Sequence, residues 1–277
     1  MTQAVVACCQ LALRVGDVQF NRAACRGAIA AAADQGADIV VVPELANSGY
    51  VFTDADEALR CAETVAGETV AEWTALARDR DLVLVGGLCE LDTEADVLRN
   101  SAVIIDGDGL RAVYRKAHLW DREQLVFDPG HEPPPVVDTR HGRVATMVCY
   151  DVEFPEWVRL PALAGADLLC VPTNWPREPR PAGERPAEVT RVQANASVNR
   201  MFIAACDRAG DERGVQWVSG TVIVGPDGFP LAGPVCEDRS VTLMARCRLS
   251  DARQKRTSAR NDAIDDRRPD LYDPVSR

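Results

Sequence analysis

The segment 143–157, RVATMVCYDVEFPEW, runs from an apolar, β-branched stretch into a cysteine, an acid two positions on, and a Phe-Pro-Glu triplet. The apolar stretch suits a buried strand. Proline is tolerated in a helix's first turn, so Pro155 marks a helix start. A strand, a sharp turn and a helix start would put Cys149 at a mouth with backbone N–H groups nearby, and nucleophile elbows of acyl-transfer enzymes are built that way. One cysteine does not establish a nucleophile. The chain has 10, and free cysteine is more often a small buried hydrophobe. Two more candidates stand at strand ends: Glu44 closes the apolar run ADIVVVPE, and Lys116 follows the second arm of a hairpin.

The elements that must position these groups alternate between strands and helices. Residues 4–13 are predicted as a strand, 21–36 as an Ala-rich helix ending at Gly36, and 37–43 as a buried strand. Residues 56–80 follow a helical pattern, and 82–85 form a strand with Gly86 and Gly87 after it. Residues 101–105 and 110–114 make a hairpin, and 121–135 form a polar loop carrying Glu123. Beyond the cysteine come a helix over 158–165, a buried strand over 166–172 and a proline-rich loop over 173–186. A helix over 187–200, a strand over 202–206, a hairpin of 217–225 with 229–233, and a last strand over 240–249 follow. The charged tail 250–277 reads as an extended arm. Strands joined both by helices and by hairpins imply two mixed sheets with helices on their outer faces. In such sheets ligands gather at strand ends.

A chain of 277 residues can bury a large core, as one domain or two, and no linker or repeat divides it. A net charge of -11 argues against nucleic acid or an anionic membrane as the main partner. The start has no basic n-region, and no apolar run reaches about 18 residues, so neither a signal peptide nor a membrane span is expected. The cysteines form no CxxC pair, which fits a reduced cytoplasmic protein better than disulfides or a zinc site. No glycine-rich phosphate loop is present, so no nucleotide cofactor is expected.

The segments VVPELANSGY around Glu44, YRKAHLW around Lys116 and VCYDVEFPE around Cys149 together resemble the nitrilase, or carbon–nitrogen hydrolase, superfamily. EQLVFDPG, GADLLCVPTNW and RNDAIDDRRPDLYD extend the resemblance over nearly the whole chain. It implies a four-layer α-β-β-α sandwich in one domain, 1–277. It also implies pairing of two subunits, with 250–277 lying across the partner. Cys149 would be the nucleophile and Glu44 the general base. Lys116 and the Tyr150 N–H would stabilise the oxyanion, and Glu123 would orient Lys116 and the substrate nitrogen. No metal or organic cofactor is required. The residues by themselves leave open a structural Glu44–Lys116 ion pair with Cys149 as core, and a Cys–His pairing through His118.

Trp-Glu typically follows the nucleophile of true nitrilases. Tyr150-Asp151 here looks like the amidase and carbamoylase side. Some relatives that take carboxylate-bearing substrates place Arg four residues after the cysteine, where this chain has Glu153. A pocket-facing Glu153 would repel a substrate carboxylate. Asn174, Trp175 and the 176–186 loop are expected to border the pocket, with Tyr50 and Phe52 as another wall. Val198 and Val222 depart from the common pattern. The expected activity is hydrolysis of a small neutral or cationic carboxamide to acid and ammonia. Alternatives are an N-carbamoyl amine hydrolase, a nitrilase, and a non-catalytic binding protein with the same fold.

Overall fold

The computed structural model describes residues 3–272. The first half of the chain builds one sheet from β1 (Ala4–Gln10), β2 (Ile39–Val41), β3 (Val83–Asp92), β4 (Val97–Asp106) and β5 (Gly109–Arg115). The second half builds another from β6 (Val136–Thr139), β7 (Gly142–Thr146), β8 (Leu168–Pro172) and β9 (Phe202–Cys206). A short ribbon of β10 (Asp211–Glu212) and β11 (Val215–Gln216) precedes β12 (Val222–Val224) and β13 (Pro230–Ala232), which complete the second sheet. The chain then returns to the first sheet through β14 (Val241–Cys247), antiparallel to β1. Strand orders are β14-β1-β2-β3-β4-β5 and β13-β12-β9-β8-β7-β6. Each sheet has a parallel centre, β1-β2-β3 in one and β7-β8-β9 in the other, flanked by antiparallel pairs.

Side chains alternate across each strand, and this creates the layers. Val6 and Cys8 point into a core shared with Val144, Leu168, Cys170 and Ala204 of the other sheet. Ala7 and Cys9 point the other way, onto α1 (Val18–Asp34) and α3 (Glu68–Arg80), where Cys25, Ile29, Trp73 and Ala77 meet them. The second sheet's outer face carries Leu169, Val171, Ile203 and Ala205 against α4 (Pro155–Leu163) and α5 (Ala187–Asn199). The result is the α-β-β-α sandwich. Central strands buried on both faces read as continuous apolar runs for this reason.

Several expected boundaries shift. The pattern over 56–80 is two helices: α2 (Ala55–Cys61), capped by the Asp54 side chain, and α3. Between them Glu63 pairs with Glu90 at the sheet edge, and its carboxylate accepts from the Thr69 N–H at 2.8 Å, restarting the helix. The strand placed at 82–85 runs on through Gly86 and Gly87. A Cβ on Gly86 would sit 2.5 Å from the Trp73 ring, so glycine here serves close packing rather than a strand end. The strand at 217–225 shrinks to Val222–Val224, because 217–220 crosses over the site and the Gly220 N–H bonds Asp207 at 2.8 Å.

Candidate active site

Strand ends deliver each group of the site. Just past β2 the backbone turns through Leu45, at φ 48°, and presents Glu44. A Cβ on Gly87 would lie 2.5 Å from the Glu44 Cα, so only glycine lets β3 pass beneath this turn. Lys116 directly follows β5, its N–H bonded to the Asn100 carbonyl at 2.8 Å. Glu123 sits in a short 3-10 turn, Asp121–Leu125. Cys149 begins another, Cys149–Glu153, directly ahead of α4, and takes φ 48°. Left-handed backbone at a non-glycine residue stores strain and is held only where the surroundings over-determine it. Asp151 does the holding: its carboxylate accepts from the Val148 N–H (3.1 Å), the His118 N–H (3.0 Å) and the Tyr114 hydroxyl (2.7 Å).

Lys116 and Glu44 are fully buried, and Cys149 and Glu123 nearly so. Lys116 Nζ donates to Glu44 Oε1 at 2.7 Å and to Glu123 Oε1 at 2.8 Å. Asn100 Nδ2 donates to the same Glu44 oxygen at 2.7 Å, leaving Glu44 Oε2 with no hydrogen-bond partner among the described residues. Burial pushes the Glu44 carboxyl up to about 7, even though Lys116 pulls it down. Burial opposes the charge on Lys116, but the Glu123 and Glu44 carboxylates outweigh it and hold the ammonium well above its ordinary value. Burial and then the Glu44 charge push the Cys149 thiol well above its usual range, with Lys116 opposing. At rest the cluster therefore holds a thiol, an ammonium, and a carboxyl that titrates near neutrality.

The other expected residues separate into two groups. Tyr50 donates its hydroxyl to Glu123 Oε1 at 2.6 Å. Asn174 Nδ2 donates to the Glu44 carbonyl at 3.0 Å, and the Asn174 carbonyl lies 3.9 Å from Cys149 Sγ. Trp175 is buried beside them, its N–H bonded to Asp207 at 3.0 Å. Tyr150 packs edge-on against Trp120, ring centres 4.8 Å apart, and its N–H follows directly on Cys149. Glu153 pairs with α5. Its Oε1 accepts from Arg191 at 3.0 Å, so its charge is engaged by α5 and gives no basis for repelling a substrate carboxylate. His118 is likewise committed, with Nδ1 on Asp151 at 2.7 Å and its ring stacked on Phe154.

A cavity of about 250 Å³ opens beside the cluster, lined by Tyr50, Phe52, Trp120, Glu123, Phe127 and Glu178 among others. Its charged lining is Asp121, Glu123 and Glu178 against Arg122. Sequence reasoning did not single out Asn100, Asp207 or Glu212. Asn100 carried a readable signal, an amide on the same strand face as Ala102 and Ile104. Asp207 lies in irregular chain and Glu212 in the two-residue strand β10, too short for any periodicity to point to it.

A buried thiol, two carboxylates and an ammonium gathered at the strand ends of an α-β-β-α sandwich define a class, the thiol-dependent hydrolases of carbon–nitrogen bonds. A model of the carbon–nitrogen hydrolase family matches residues 5–257, and the chain belongs to that family. It is 35% identical over 244 residues to a nitrilase of Pyrococcus abyssi, spanning 87% of this chain and 88% of that one. It is 31% identical over 274 residues to an N-carbamoylputrescine amidase of Solanum tuberosum, spanning 92% and 89%. An amidase variant from Nesterenkonia sp. AN1, in which acrylamide has added to the active-site cysteine, superposes with a TM-score of 0.77 at 28% identity, covering 98% of this chain and 99% of that one.

Proposed function

We propose that the protein hydrolyses a small neutral or cationic carboxamide to its acid and ammonia through an acyl-enzyme on Cys149. The observation that carries this reading is the unpartnered Glu44 Oε2 in a buried cluster whose charges act on Cys149. Glu44 takes the thiol proton as sulfur attacks the carbonyl carbon. Lys116, with the Tyr150 N–H, faces the oxygen as it becomes anionic. The C–N bond breaks, the nitrogen leaves with the proton Glu44 held, and a water activated by Glu44 splits the thioester. Glu123 keeps Lys116 aligned throughout, and Tyr50 and Asn174 hold Glu123 and the Glu44 backbone. The neutral or cationic preference rests on the lining carboxylates, Asp121 and Glu178, which outnumber the single Arg122, and not on Glu153.

The test is ammonia release from a neutral aliphatic amide, a cationic amide, an ω-amido acid, a carbamoyl amine and a nitrile. Turnover of the first two, with the ω-amido acid at least about tenfold slower, is expected from like-charge opposition at the rim. A faster ω-amido acid overturns the charge preference. The similarity to the potato amidase favours one second reading, a carbamoyl amine hydrolase, and carbon dioxide release beside ammonia identifies it.

The chain's organisation as one domain with a partner-binding arm also stands as a proposal. After Cys247 the chain crosses the second sheet's helices: Lys255 Nζ donates to the Asn199 and Arg200 carbonyls at 3.0 Å, and Arg159 of α4 donates to the Ala263 carbonyl at 3.4 Å. Leu160, Leu163 and Val198 are exposed on these helices. Residues 273–277 of the arm lie outside the described residues. Sedimentation equilibrium should show a dimer. A monomer at micromolar concentration removes the interface role of the arm. No helix of the described residues is long and apolar enough to cross a membrane.

A further inference from the structure

Just past β9, the segment 207–212 grips both walls of the site with buried charge. Asp207 accepts from the N–H groups of Trp175 (3.0 Å), Arg208 (2.9 Å) and Gly220 (2.8 Å), fixing the wall that carries Asn174. Arg208, fully buried, lies 4.6 Å over the Trp217 ring and donates to Glu212 Oε1 and to the Leu13 carbonyl, each at 2.8 Å. Glu212 Oε2 accepts from the backbone N–H groups of Tyr50 (2.8 Å) and Val51 (2.7 Å). The fit is close: a Cβ on Gly49, at φ +79°, would meet Val15 Cα at 2.4 Å and Glu212 Oε1 at 2.8 Å. Trp217 then meets the Tyr50 ring edge-on at 5.5 Å. Tyr50 is held by backbone and by ring, and its hydroxyl points at the Glu123 oxygen that also takes Lys116.

We infer that Glu212, held by Arg208, is a positioning residue for the reaction: it fixes Tyr50, and Tyr50 holds Glu123 on Lys116. This rests on the roles proposed above for Cys149, Glu44 and Lys116. A buried ion pair is weak evidence for stability alone, since well-packed apolar groups often replace one at no loss. What marks this pair is where its hydrogen bonds go. Charge-assisted bonds to two successive N–H groups fix the peptide planes at Tyr50. Without them the Tyr50 hydroxyl drifts, Glu123 gains a second rotamer, and Lys116 loses alignment with the developing oxyanion. A displacement of about 1 Å remote from the reacting atoms costs about 10²-fold.

The experiment is a double-mutant cycle of Glu212→Gln and Tyr50→Phe, with thermal melts on every variant. Glutamine keeps the shape but turns an NH2 group toward the Tyr50 and Val51 N–H groups, or toward Arg208. With a neutral aliphatic amide, Glu212→Gln should lower kcat by about 10- to 100-fold and leave KM nearly unchanged. In the Tyr50→Phe background the same substitution should cost much less, because both variants break one path. Effects that multiply, or a change in KM alone, overturn the inference. If Glu212→Gln does not fold, Glu212→Asp keeps the charge on Arg208 while withdrawing the carboxylate from Tyr50, and it completes the same cycle. Alkylation of Cys149 by iodoacetamide reads the cycle without any assumption about substrate. Activity that survives Cys149→Ala overturns the proposed mechanism. Normal dependence on Cys149 with independent effects at Glu212 and Tyr50 overturns this inference alone.

Discussion

Cys149→Ala abolishes amide hydrolysis, by about 10⁴-fold or more, and leaves the melting temperature nearly unchanged. The size follows from what a nucleophile does: without a covalent intermediate only binding and oxyanion stabilisation are left, and loss of a nucleophile removes most of the rate. The small effect on stability follows from the contacts. Cys149 Sγ has a long approach, 3.9 Å, to the Asn174 carbonyl, and its thiol carries an unfavourable environment for ionisation that alanine does not. Losing one sulfur from a packed site costs about 1 kcal/mol, the centre of the distribution for single substitutions. Cys170→Ala is the matched control. Cys170 lies in the core between the sheets, so the variant should lose some stability and keep its activity. Rates are read as ammonia release and folding by thermal melts. Activity of Cys149→Ala within about tenfold of the parent chain would mean that another group attacks the carbonyl.

The readable part of this site was the part that sits at strand ends. Glu44 and Cys149 each close an apolar run, visible in one dimension, and Lys116 follows the second arm of a hairpin. The two-sheet sandwich was legible for a related reason, since the β4–β5 and β12–β13 hairpins carry Asp-Gly turns. The orientation of Glu153 was open because position in sequence says nothing about which way a side chain turns; Arg191, on α5, engages it. The break between α2 and α3 was missed because Glu63 leaves the helix to pair with a strand about 27 positions on, a tertiary choice that overrides local pattern. Asp207, Arg208 and Glu212 were invisible for the same reason. Apart from the bonds they make with one another, their hydrogen-bond partners lie 13 to 195 positions away, and no local pattern encodes a bond from Arg208 to Leu13.

Glu44→Gln should lower kcat/KM by about 10²- to 10⁴-fold, the usual contribution of a positioned general base, and should also change the shape of the pH profile. In the parent chain Glu44 works only when ionised, and burial places its pKa at about 7 against an ordinary value of 4.5. Below that pH the ionised fraction, and with it kcat/KM, drops about tenfold per unit. Glutamine has no such proton, so the acid limb near 7 should vanish from the residual rate. The same residue sets a stability trend of defined sign. A folded pKa raised above the unfolded one favours folding below about 4.5, and that advantage is lost as pH rises through about 7. Glutamine stays neutral throughout, so its melting temperature should gain on the parent's between pH 5 and 8. Its amide can still pair with Asn100, and Lys116 retains Glu123 at 2.8 Å, so the site stays assembled. With an activated ester as acyl donor, Cys149 can acylate without a strong base, but the thioester then lacks an activator for water. An acyl-enzyme should therefore accumulate on Cys149 in this variant and be visible as one added acyl mass. An acid limb that persists near 7 in Glu44→Gln would assign the titration to another group and remove Glu44 from the role of base.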